Sequence, residues 1–520
     1  MNRQDFLAAI DSYDGYWDMV VVGGGATGLG CALDASTRGY KTLLLEQHDF
    51  AKGTSSRSTK LVHGGVRYLQ QGNVSLVLEA LHERGLLMQN APHLVHNQSF
   101  IVPNYEWWDG PFYGVGLKVY DLLAGRLGLG SSKGLSKEET LARIPTLEPD
   151  RLRGGIIYHD GQFDDARLAI NLAQSVVDAG GTPVNYTRVT GLTYSGEMID
   201  GVKLADTLDG REREVRARVV INATGVFTDD LLRMDEPDAA SLITHSQGIH
   251  LVLDQRFLKG KTAIMVPQTE DGRVLFAVPW HGRVLVGTTD TPVDAACLEP
   301  RPQEEEIDYI LEHAARYMVD DPTRKDILCM FAGLRPLVGA GAGRKTASIS
   351  RDHHLEVSQS GLVTITGGKW TTYRKMAEDT VNKAALVAGL PESDCRTQKL
   401  RIHGWLKHMD PSDPLGDYGS DAVHLRRIVD ADPRLGERLH ESLPYTRAEV
   451  VWAVRNEMAM TLEDVLSRRT RALILDADAS LAIAGAVAET MAGEMGKDRE
   501  WQQRQVDAFE ALVRIYLPKR

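Results

Sequence analysis

The chain has 520 residues, which is too long for a single hydrophobic core and predicts two or three domains. Its 43% hydrophobic and 25% charged residues match an average soluble globular protein and exclude a disordered or fibrous chain. A formal net charge of -12 argues against nucleic acid as a partner, because nucleic-acid binding depends on a concentrated positive field.

The N-terminal residues predict a strand, a helix and a second strand. Trp17–Val22 is a short apolar run rich in β-branched residues, and the small residues of Leu29–Arg38 follow a helical pattern. A second apolar run, Lys41–Leu45, ends in Glu46. Because parallel strands need a crossover between them, these segments predict a βαβ unit.

Residues 61–149 follow a mostly helical and irregular pattern, with an unusually aromatic passage at Tyr105–Leu123. Two interpretations of that passage stay open: an amphipathic element that enters the headgroup region of a membrane, or the packed core of a cap over the binding site. Its aromatic residues include Trp107, Trp108, Phe112, Tyr113 and Tyr120.

Strand patterns dominate the middle of the chain, and the C-terminal part is helical. The strand patterns are Val215–Gly225, Gly248–Leu253, a hairpin of Val274–Trp280 and Val284–Thr289, and a hairpin within Leu355–Thr366. The second hairpin leads through a Gly-Gly-Lys turn into a helix that begins near Thr371. Pro, Asp and Gly become frequent after Leu390, which predicts a linker, and apolar residues recur at helical spacing from about residue 422 to 516.

The cysteines and the first residues indicate the compartment. The four cysteines lie far apart and form no C-x-x-C pair, which indicates reduced thiols in a cytosolic compartment. Met1–Tyr16 lacks both an apolar signal core and an Arg-rich pattern, so we expect neither export nor import. No run of about 18 uninterrupted apolar residues occurs, so we expect no membrane span.

The motif Gly23-x-Gly25-x-x-Gly28 lies between the first predicted strand and helix, with Glu46 about twenty residues further on, as a dinucleotide-binding motif requires. Gly23 makes the tight turn, Gly25 lets the backbone approach a pyrophosphate, and Gly28 allows close packing of helix and strand. The helix N-terminus then offers N–H groups and partial positive charge to phosphates, while Glu46 accepts hydrogen bonds from the adenosine ribose. The motif alone does not distinguish FAD from NAD.

Further passages along nearly the whole chain resemble a known family. They are GGGATGLGCALDASTRGYKTLLLE (23–46), GTSSRSTKLVHGGVRYLQ (53–70), ALHERGLL (80–87), INATGVFTD (221–229), LVGTTDTP (285–292), GLRPLV (333–338), SISRDH (348–353), TGGKWTTYRKMAEDT (366–380) and TLEDVLSRRTR (461–471). They resemble the FAD-dependent glycerol-3-phosphate dehydrogenases, both the bacterial respiratory form and, more closely, the mitochondrial form. The sequence has neither the EF-hand extension of the mitochondrial enzymes nor a transit peptide, so we expect a bacterial protein.

The resemblance implies an α/β fold in three parts. We expect a Rossmann-like FAD-binding domain, an antiparallel β-sheet substrate domain like that of D-amino-acid oxidase, and an all-α C-terminal domain. The expected bounds are 1–90, 150–235 and 340–390 for the FAD-binding domain, 91–149 and 236–339 for the substrate-binding or cap domain, 391–420 for a linker, and 421–520 for the helical domain.

By the same resemblance the cofactor is FAD, with its adenine end on the βαβ unit and its isoalloxazine ring against the substrate sheet. The Gly367-Gly368 turn points the next helix N-terminus at the flavin, where the helix dipole stabilises negative charge on the reduced ring. The residues expected at the cofactor are Gly23, Gly25, Ala26, Thr27, Gly28, Glu46, Ser55, Ser56, Thr59, Lys60, His63, Gly64, Ala223, Thr224, Gly225, Gly368, Lys369, Thr371 and Thr372.

A phosphorylated secondary alcohol calls for cations and a base. Arginine suits phosphate better than lysine because its planar fork matches the phosphate oxygens. The resemblance implies a substrate-binding cluster of Arg67, Tyr68, Arg335, Arg351 and Lys369, of which Arg67, Arg335 and Lys369 are also expected to be catalytic. Which of them holds the phosphate stays open.

We predict His250 as the general base, since a neutral imidazole titrates near working pH. His353 and His354 lack a third ligand at suitable spacing, so we expect no metal site.

The expected activity is oxidation of sn-glycerol 3-phosphate to dihydroxyacetone phosphate. The resemblance implies a quinone as electron acceptor and a cytoplasmic protein attached peripherally to the inner face of a bacterial membrane. The oligomeric state stays open, with a homodimer as one option. Three other functions also stay open: an oxidase of glycerol 3-phosphate that uses oxygen, an amine or amino-acid oxidase, and a non-catalytic flavoprotein that acts as a sensor or scaffold.

Overall fold

The computed structural model describes residues 1–66, 73–106, 109–267, 269, 273–339, 352–410 and 412–519, apart from the side chains of residues 109–113 and 126. Five residues singled out above lie outside the described residues. They are Arg67, Tyr68 and Arg351 of the expected substrate cluster, and Trp107 and Trp108 of the aromatic passage.

The described residues form twenty strands. They are β1 (Tyr16–Trp17), β2 (Met19–Val22), β3 (Thr42–Leu45), β4 (Leu61–Val62), β5 (Val95–Asn104), β6 (Lys133–Ser136), β7 (Gly154–Phe163), β8 (Thr182–Val184), β9 (Thr187–Ser195), β10 (Met198–Asp206), β11 (Glu212–Ala217), β12 (Val220–Asn222), β13 (Ile243–Asp254), β14 (Ala263–Val266), β15 (Leu275–Trp280), β16 (Arg283–Gly287), β17 (Thr291–Val293), β18 (Ile327–Val338), β19 (His353–Val357) and β20 (Val363–Gly367).

The α-helices of the described residues are α1 (Arg3–Asp11), α2 (Ala26–Thr37), α3 (Val74–Asn90), α4 (Asp109–Ala124), α5 (Lys137–Arg143), α6 (Asp165–Asp178), α7 (Thr228–Asp235), α8 (Glu304–Ala315), α9 (Tyr373–Val387), α10 (Ala422–Ala431), α11 (Arg447–Asn456), α12 (Ala472–Leu475), α13 (Ala477–Met495) and α14 (Arg499–Tyr516). A π-helix, Asp464–Arg469, precedes α12. None of these helices is both long enough and apolar enough to cross a membrane.

The predicted βαβ unit belongs to a six-stranded sheet with the order β19-β20-β12-β2-β3-β8. Its neighbouring strands run parallel except for β19 and β20, which form the predicted hairpin. β2 and β3 are buried along their whole length, because both faces of a parallel sheet must be covered. Helices α2, α6 and α9 cover one face, and their apolar residues form one core with the sheet. The predicted Rossmann-like fold is confirmed.

A four-stranded sheet, β1-β11-β10-β9, covers the other face. Val20 and Val22 of β2 pack against Val202 of β10 and Val215 of β11. The sequence predicted Trp17–Val22 as one strand, but it divides between the two sheets. The apolar pattern continues across the break because both layers bury their residues.

The third sheet has the order β17-β13-β16-β15-β14-β5-β7-β4, with β18 paired to β13 and β6 paired to β7. Its pairs are antiparallel except β5 with β14, so the expected substrate sheet is confirmed, including the β15–β16 hairpin. Three of its strands, β4, β5 and β6, lie where the sequence predicted mostly helical and irregular structure. That prediction was wrong for β5 because polar residues at 96–98 and Pro103 interrupt its apolar pattern.

The residues after Asp421 form helices, as predicted. Their apolar core also includes Val252, Leu285, Cys329 and Phe331 of the third sheet. The helical part is therefore packed onto the substrate sheet rather than held by a linker alone. The exact domain bounds remain a proposal.

Candidate active site

The glycine motif forms a cradle at the N-terminus of α2. Gly23 follows the last residue of β2 and adopts φ +110°, and a Cβ there would meet the Ala223 carbonyl oxygen at 2.5 Å. A Cβ on Gly28 would overlap the Gly23 carbonyl oxygen. Neither position can carry a side chain unless the backbone moves, so the helix approaches the strand as closely as a dinucleotide-binding turn requires.

A cleft opens at this helix N-terminus and holds about 1060 Å³ of empty space, including its open mouth. Many of the expected cofactor residues line it, namely Gly23, Gly25, Ala26, Thr27, Glu46, Ser55 and Ala223–Gly225. The hydroxyl oxygen of Ser55 accepts the Ala26 N–H at 2.9 Å. Together with the helix dipole, the N–H groups of this end suit an anionic ligand.

Glu46 lies at the edge of the cleft with its carboxylate held by the backbone. Its two oxygens accept the N–H groups of Gly24 at 2.6 Å and His48 at 2.8 Å. Burial raises the pKa of Glu46, and these two hydrogen bonds oppose that rise. The carboxylate is thus held in one orientation at the cleft, and its contact with a ribose remains a proposal.

The loop Gly53–Gly64, which we call the cofactor loop, connects the cleft to the turn before α9. The Ser55 carbonyl oxygen accepts the indole N–H of Trp370 at 2.8 Å, and the His63 N–H donates to the Thr371 hydroxyl oxygen at 3.2 Å. Segments more than 300 residues apart in sequence therefore lie side by side, as the expected flavin site requires.

Two expected catalytic residues, His250 and Arg335, share one face of the third sheet. In the antiparallel pair of β13 and β18, His250 lies opposite Phe331 and Ser246 lies opposite Arg335. Alternate residues of a strand point to the same side, so His250 and Arg335 face the same way. Between them, Gly248 leaves room for the guanidinium, which a Cβ would overlap.

His250 is 3% exposed, and its ring stacks on Phe331 with 5.0 Å between centroids. Its Nε2 lies 2.9 Å from the Thr59 hydroxyl, and its buried Nδ1 has no hydrogen-bond partner among the described residues. Burial lowers the pKa of His250 well below its usual value, and the positive charges of Lys60 and Arg335 lower the pKa further. The ring is neutral at neutral pH, as a general base must be.

Arg335 is held in one position by four hydrogen bonds. It donates to the Ser246 hydroxyl and the Gln247 carbonyl, both at 3.3 Å, and to the Thr288 hydroxyl at 3.1 Å and the Thr289 carbonyl at 3.0 Å. The side chain keeps 21% exposure. The guanidinium also lies 3.8 Å from Asp290 Oδ1, and a fixed, partly exposed cation can bind an anionic group without reorganising.

Lys60, an expected cofactor residue, lies fully buried beneath its loop. Its Nζ donates to Asp165 at 2.7 Å and to the Ser56 carbonyl at 2.8 Å. Burial lowers the pKa of Lys60 to about 8, against the opposing effect of Asp165. Its ammonium group is therefore paired with Asp165 inside the protein, and its positive charge also lowers the pKa of nearby His250.

The other expected cofactor residues surround the same loop and turn. The Gly64 N–H donates to the Tyr120 hydroxyl at 2.7 Å, and the Thr224 hydroxyl donates to Asn222 at 2.7 Å. Thr372 is buried at the start of α9, and Lys369 is half-buried at the turn after β20. Direct contact of these residues with a cofactor remains a proposal.

Several residues that shape the site were not predicted. Thr288 and Trp370 lie within the passages LVGTTDTP and TGGKWTTYRKMAEDT that resemble the family, so the resemblance could have indicated both as site residues. Asp165 follows β7 in the passage FDDAR, which belongs to none of the matched passages. No local pattern indicated its role.

Comparison with known proteins identifies the family. The family model described as FAD dependent oxidoreductase matches residues 18–374, and the one described as C-terminal domain of alpha-glycerophosphate oxidase matches residues 362–502. The mitochondrial glycerol-3-phosphate dehydrogenase of Homo sapiens is 41% identical over 532 residues, covering 96% of this chain and 73% of the relative. That of Arabidopsis thaliana is 38% identical, covering 96% of this chain and 86% of the relative.

A solved structure agrees with these relatives. The X-ray structure of the glycerol-3-phosphate dehydrogenase from Bacillus halodurans, complexed with FAD, is similar with a TM-score of 0.81 and 30% identity, over 99% of this chain and 98% of that chain. The chain belongs to the family of FAD-dependent glycerol-3-phosphate dehydrogenases. The predicted family is confirmed, and FAD is its cofactor.

The described residues of this dehydrogenase-family chain fit FAD. The cradle leaves no room for a Cβ at Gly23 and Gly28, so α2 packs closely against β2, and Gly25 lines the cleft without a side chain that would keep a pyrophosphate away. Glu46 lines the same cleft, where the sequence predicts the adenosine ribose. The loop from Ser55 to His63 and the N-terminus of α9 meet at the place expected for the isoalloxazine ring.

Replacing Gly25 with Val is expected to lower bound FAD at least about tenfold, because the branched side chain fills the space that a pyrophosphate needs. A Cβ at this position already meets the Ser55 hydroxyl oxygen at 3.0 Å. The measurement is flavin absorbance per mole of purified protein, with far-UV circular dichroism to establish that the variant is folded. Gly485→Ala in α13 is the matched control, since a Cβ there meets nothing within 4 Å. Full flavin occupancy in folded Gly25→Val would contradict the cradle.

Proposed function

We propose that the protein oxidises sn-glycerol 3-phosphate to dihydroxyacetone phosphate by hydride transfer to FAD, and that a membrane quinone receives the electrons. The observation that carries the proposal is a neutral imidazole, His250, and a fixed guanidinium, Arg335, on one face of the substrate sheet. The identity to mitochondrial glycerol-3-phosphate dehydrogenases supports the same substrate. A base for the hydroxyl proton and a cation for the phosphate are what this reaction needs from the protein.

Each group has a separate task. When bound, FAD supplies the hydride acceptor. Arg335 binds the substrate phosphate, because its four hydrogen bonds fix the guanidinium before substrate arrives. His250 accepts the hydroxyl proton, since the ring is neutral and Nδ1 has no partner among the described residues. The stack on Phe331 and the contact with Thr59 hold the ring in place.

The proposed quinone requires contact with a membrane, and the outer face of α4 offers an apolar surface. Val115, Val119 and Leu122 are 67%, 40% and 79% exposed and recur at helical spacing. Lys118 is exposed between them, and a lysine can snorkel to anionic headgroups. We define these four residues as the α4 face.

The α4 face lies close to the proposed flavin site. On the opposite side of the helix, Tyr120 is 1% exposed and its hydroxyl accepts the Gly64 N–H of the cofactor loop. A membrane on the α4 face would therefore lie about one helix diameter, roughly 10 Å, from that loop. In this proposal α4 meets the membrane on one side and packs over the site on the other.

The second candidate function is a glycerol-3-phosphate oxidase that passes electrons to oxygen. It is favoured by the match of residues 362–502 to the C-terminal domain described for alpha-glycerophosphate oxidase. An oxygen electrode distinguishes the two candidates. Rapid oxygen uptake and peroxide release without quinone would favour the oxidase, whereas dependence on an added quinone analogue would favour the dehydrogenase.

The defining experiment adds sn-glycerol 3-phosphate to the holoenzyme without oxygen and follows the flavin absorbance. Bleaching, and recovery of colour after addition of a quinone, are expected. Binding without bleaching would contradict the proposal and favour a non-catalytic sensor.

Replacing Arg335 with Ala is expected to raise the KM for glycerol 3-phosphate by about 100-fold, because a preorganised partner of the phosphate is lost. Oxidation of glycerol, which has no phosphate, should change far less. Steady-state kinetics with both substrates make the comparison. Arg256→Ala is the control, since Arg256 lies on the same sheet domain but its side chain is 57% exposed. An equal effect on both substrates would exclude a phosphate role.

Replacing His250 with Asn is expected to slow single-turnover flavin reduction by about 10²-fold to 10⁴-fold, with little change in substrate binding. Stopped-flow absorbance measures the rate, and exposed His82→Asn is the control. Because burial keeps the pKa of His250 well below 6.5, protonation of this ring should not slow the wild-type protein between about pH 8 and pH 6.5. A rate within about twofold of wild type in His250→Asn would remove it as the base.

Replacing Leu122 with Asp is expected to lower binding to anionic phospholipid vesicles at least about fivefold, because a charge enters the α4 face. Vesicle flotation measures the bound fraction, and reduction of a water-soluble quinone analogue should stay unchanged. Leu386→Asp is the matched control, since Leu386 on α9 is 78% exposed outside the α4 face. Equal flotation of wild type and Leu122→Asp would place the docking surface elsewhere.

A further inference from the structure

The C-terminal helical part reaches the cofactor loop through a buried arginine. Arg471 precedes α12 and is 2% exposed. Its Nη2 donates to the Ser56 carbonyl at 3.1 Å and to Asp165 Oδ1 at 3.0 Å, and its Nε lies 3.5 Å from Asp164. One side chain therefore contacts both the loop and the first turn of α6.

The carboxylate of Asp165 accepts the hydrogen bonds of this junction. One carboxylate oxygen accepts the Ser58 N–H at 3.0 Å, the Ser58 hydroxyl at 2.7 Å and the Lys60 ammonium at 2.7 Å. The other accepts Arg471 and the Ala166 N–H at 2.8 Å. A buried carboxylate that loses one of its cations keeps the cost of desolvation without the attraction. The position of the loop should therefore depend on Arg471.

The loop segment Ser55–Lys60 has functional contacts at both ends. At one end, Ser55 holds the first N–H of α2 and the indole of Trp370. At the other end, Thr59 contacts the ring of His250. The residues between them, Ser56 and Ser58, are those that Arg471 and Asp165 hold. A shift of this middle part would displace both ends.

A second set of ion pairs docks the same C-terminal segment beside the cleft. Asp49, which follows β3, accepts Arg468 at 2.5 Å and Arg469 at 2.6 Å with no exposed side-chain surface of its own. Lys52, which lines the cleft, pairs with Glu463 at 2.7 Å. Residues 463–471 thus contact the cofactor loop through Arg471 and the residues just before that loop, Asp49 and Lys52, through the other ion pairs.

We propose that Arg471 is a positioning residue for the loop Ser55–Lys60, acting through Asp165 and the Ser56 carbonyl, so that the C-terminal helical part controls how tightly FAD is held and how His250 is oriented. The effect on His250 rests on the function proposed above. The effect on FAD retention does not depend on it.

The test compares Arg471→Met, Arg471→Lys and the control Arg455→Met, whose arginine is 56% exposed on α11. Arg471→Met is expected to raise the FAD dissociation constant about tenfold, and Arg471→Lys to recover part of that loss, because an ammonium can reach Asp165 but lacks the fork. Arg455→Met should bind FAD like wild type. Flavin fluorescence gives the dissociation constant at a temperature where far-UV circular dichroism shows each variant to be folded.

A second readout concerns the proposed base. Arg471→Met is expected to lower kcat for glycerol 3-phosphate about tenfold with the KM changed less than about threefold, since Arg335 keeps its own partners. If glycerol 3-phosphate does not reduce the wild-type flavin, the proposed function fails, and FAD affinity still decides the role of Arg471.

Two outcomes would overturn the proposal. The first is a folded Arg471→Met that has lower thermal stability but wild-type FAD affinity, which a merely structural role would produce. If Arg471→Met does not fold, Ser58→Ala replaces it as the test variant, because it removes one loop donor to Asp165 without leaving a charge. Ser58→Ala is expected to raise the FAD dissociation constant about threefold. The second outcome that would overturn the proposal is unchanged FAD affinity in folded Ser58→Ala.

Discussion

The arrangement of the site depends on one charge that has been removed from water, the carboxylate of Asp165. It has no exposed side-chain surface and is balanced by two cations, Lys60 from the cofactor loop and Arg471 from the C-terminal helical part. Buried ion pairs add little net stability, because desolvation offsets their attraction. They do join three regions of the chain at this junction, namely the cofactor loop, the first turn of α6 and the C-terminal helical part.

The substrate sheet contributes a second constraint, which is space. Gly248 admits the Arg335 guanidinium, and at Gly333 a Cβ would lie 3.1 Å from Arg57 of the cofactor loop. The Thr54 hydroxyl donates to the Leu334 carbonyl at 2.6 Å. The loop therefore lies directly on the sheet face that carries His250. Small residues on one strand pair bring the cation, the base and the cofactor loop together.

Features with a local pattern could be predicted from the sequence. The βαβ unit, the two hairpins and the glycine cradle depend on neighbouring residues, and their positions agree with the structure. The four-stranded sheet was missed because two of its strands continue directly into apolar runs of other layers. The pair of Asp165 and Arg471 could not be found, since 306 residues separate them and charged residues in single sequences most often belong to the solvated surface. Arg335 was predicted through family resemblance and His250 from the chemistry of an imidazole on the substrate sheet, whereas the Gly248 gap between them was not predicted.

The separation along the chain has a consequence for biosynthesis. Arg471 binds a carbonyl group 415 positions earlier, so the cofactor loop acquires this partner only after residue 471 has been translated. N-terminal domains can begin to fold on the ribosome, but this loop lacks its C-terminal brace at that stage. If Arg471 positions the loop as proposed, a nascent chain holds the flavin more weakly until residue 471 has left the ribosome, so tight binding of the cofactor is a late event in maturation.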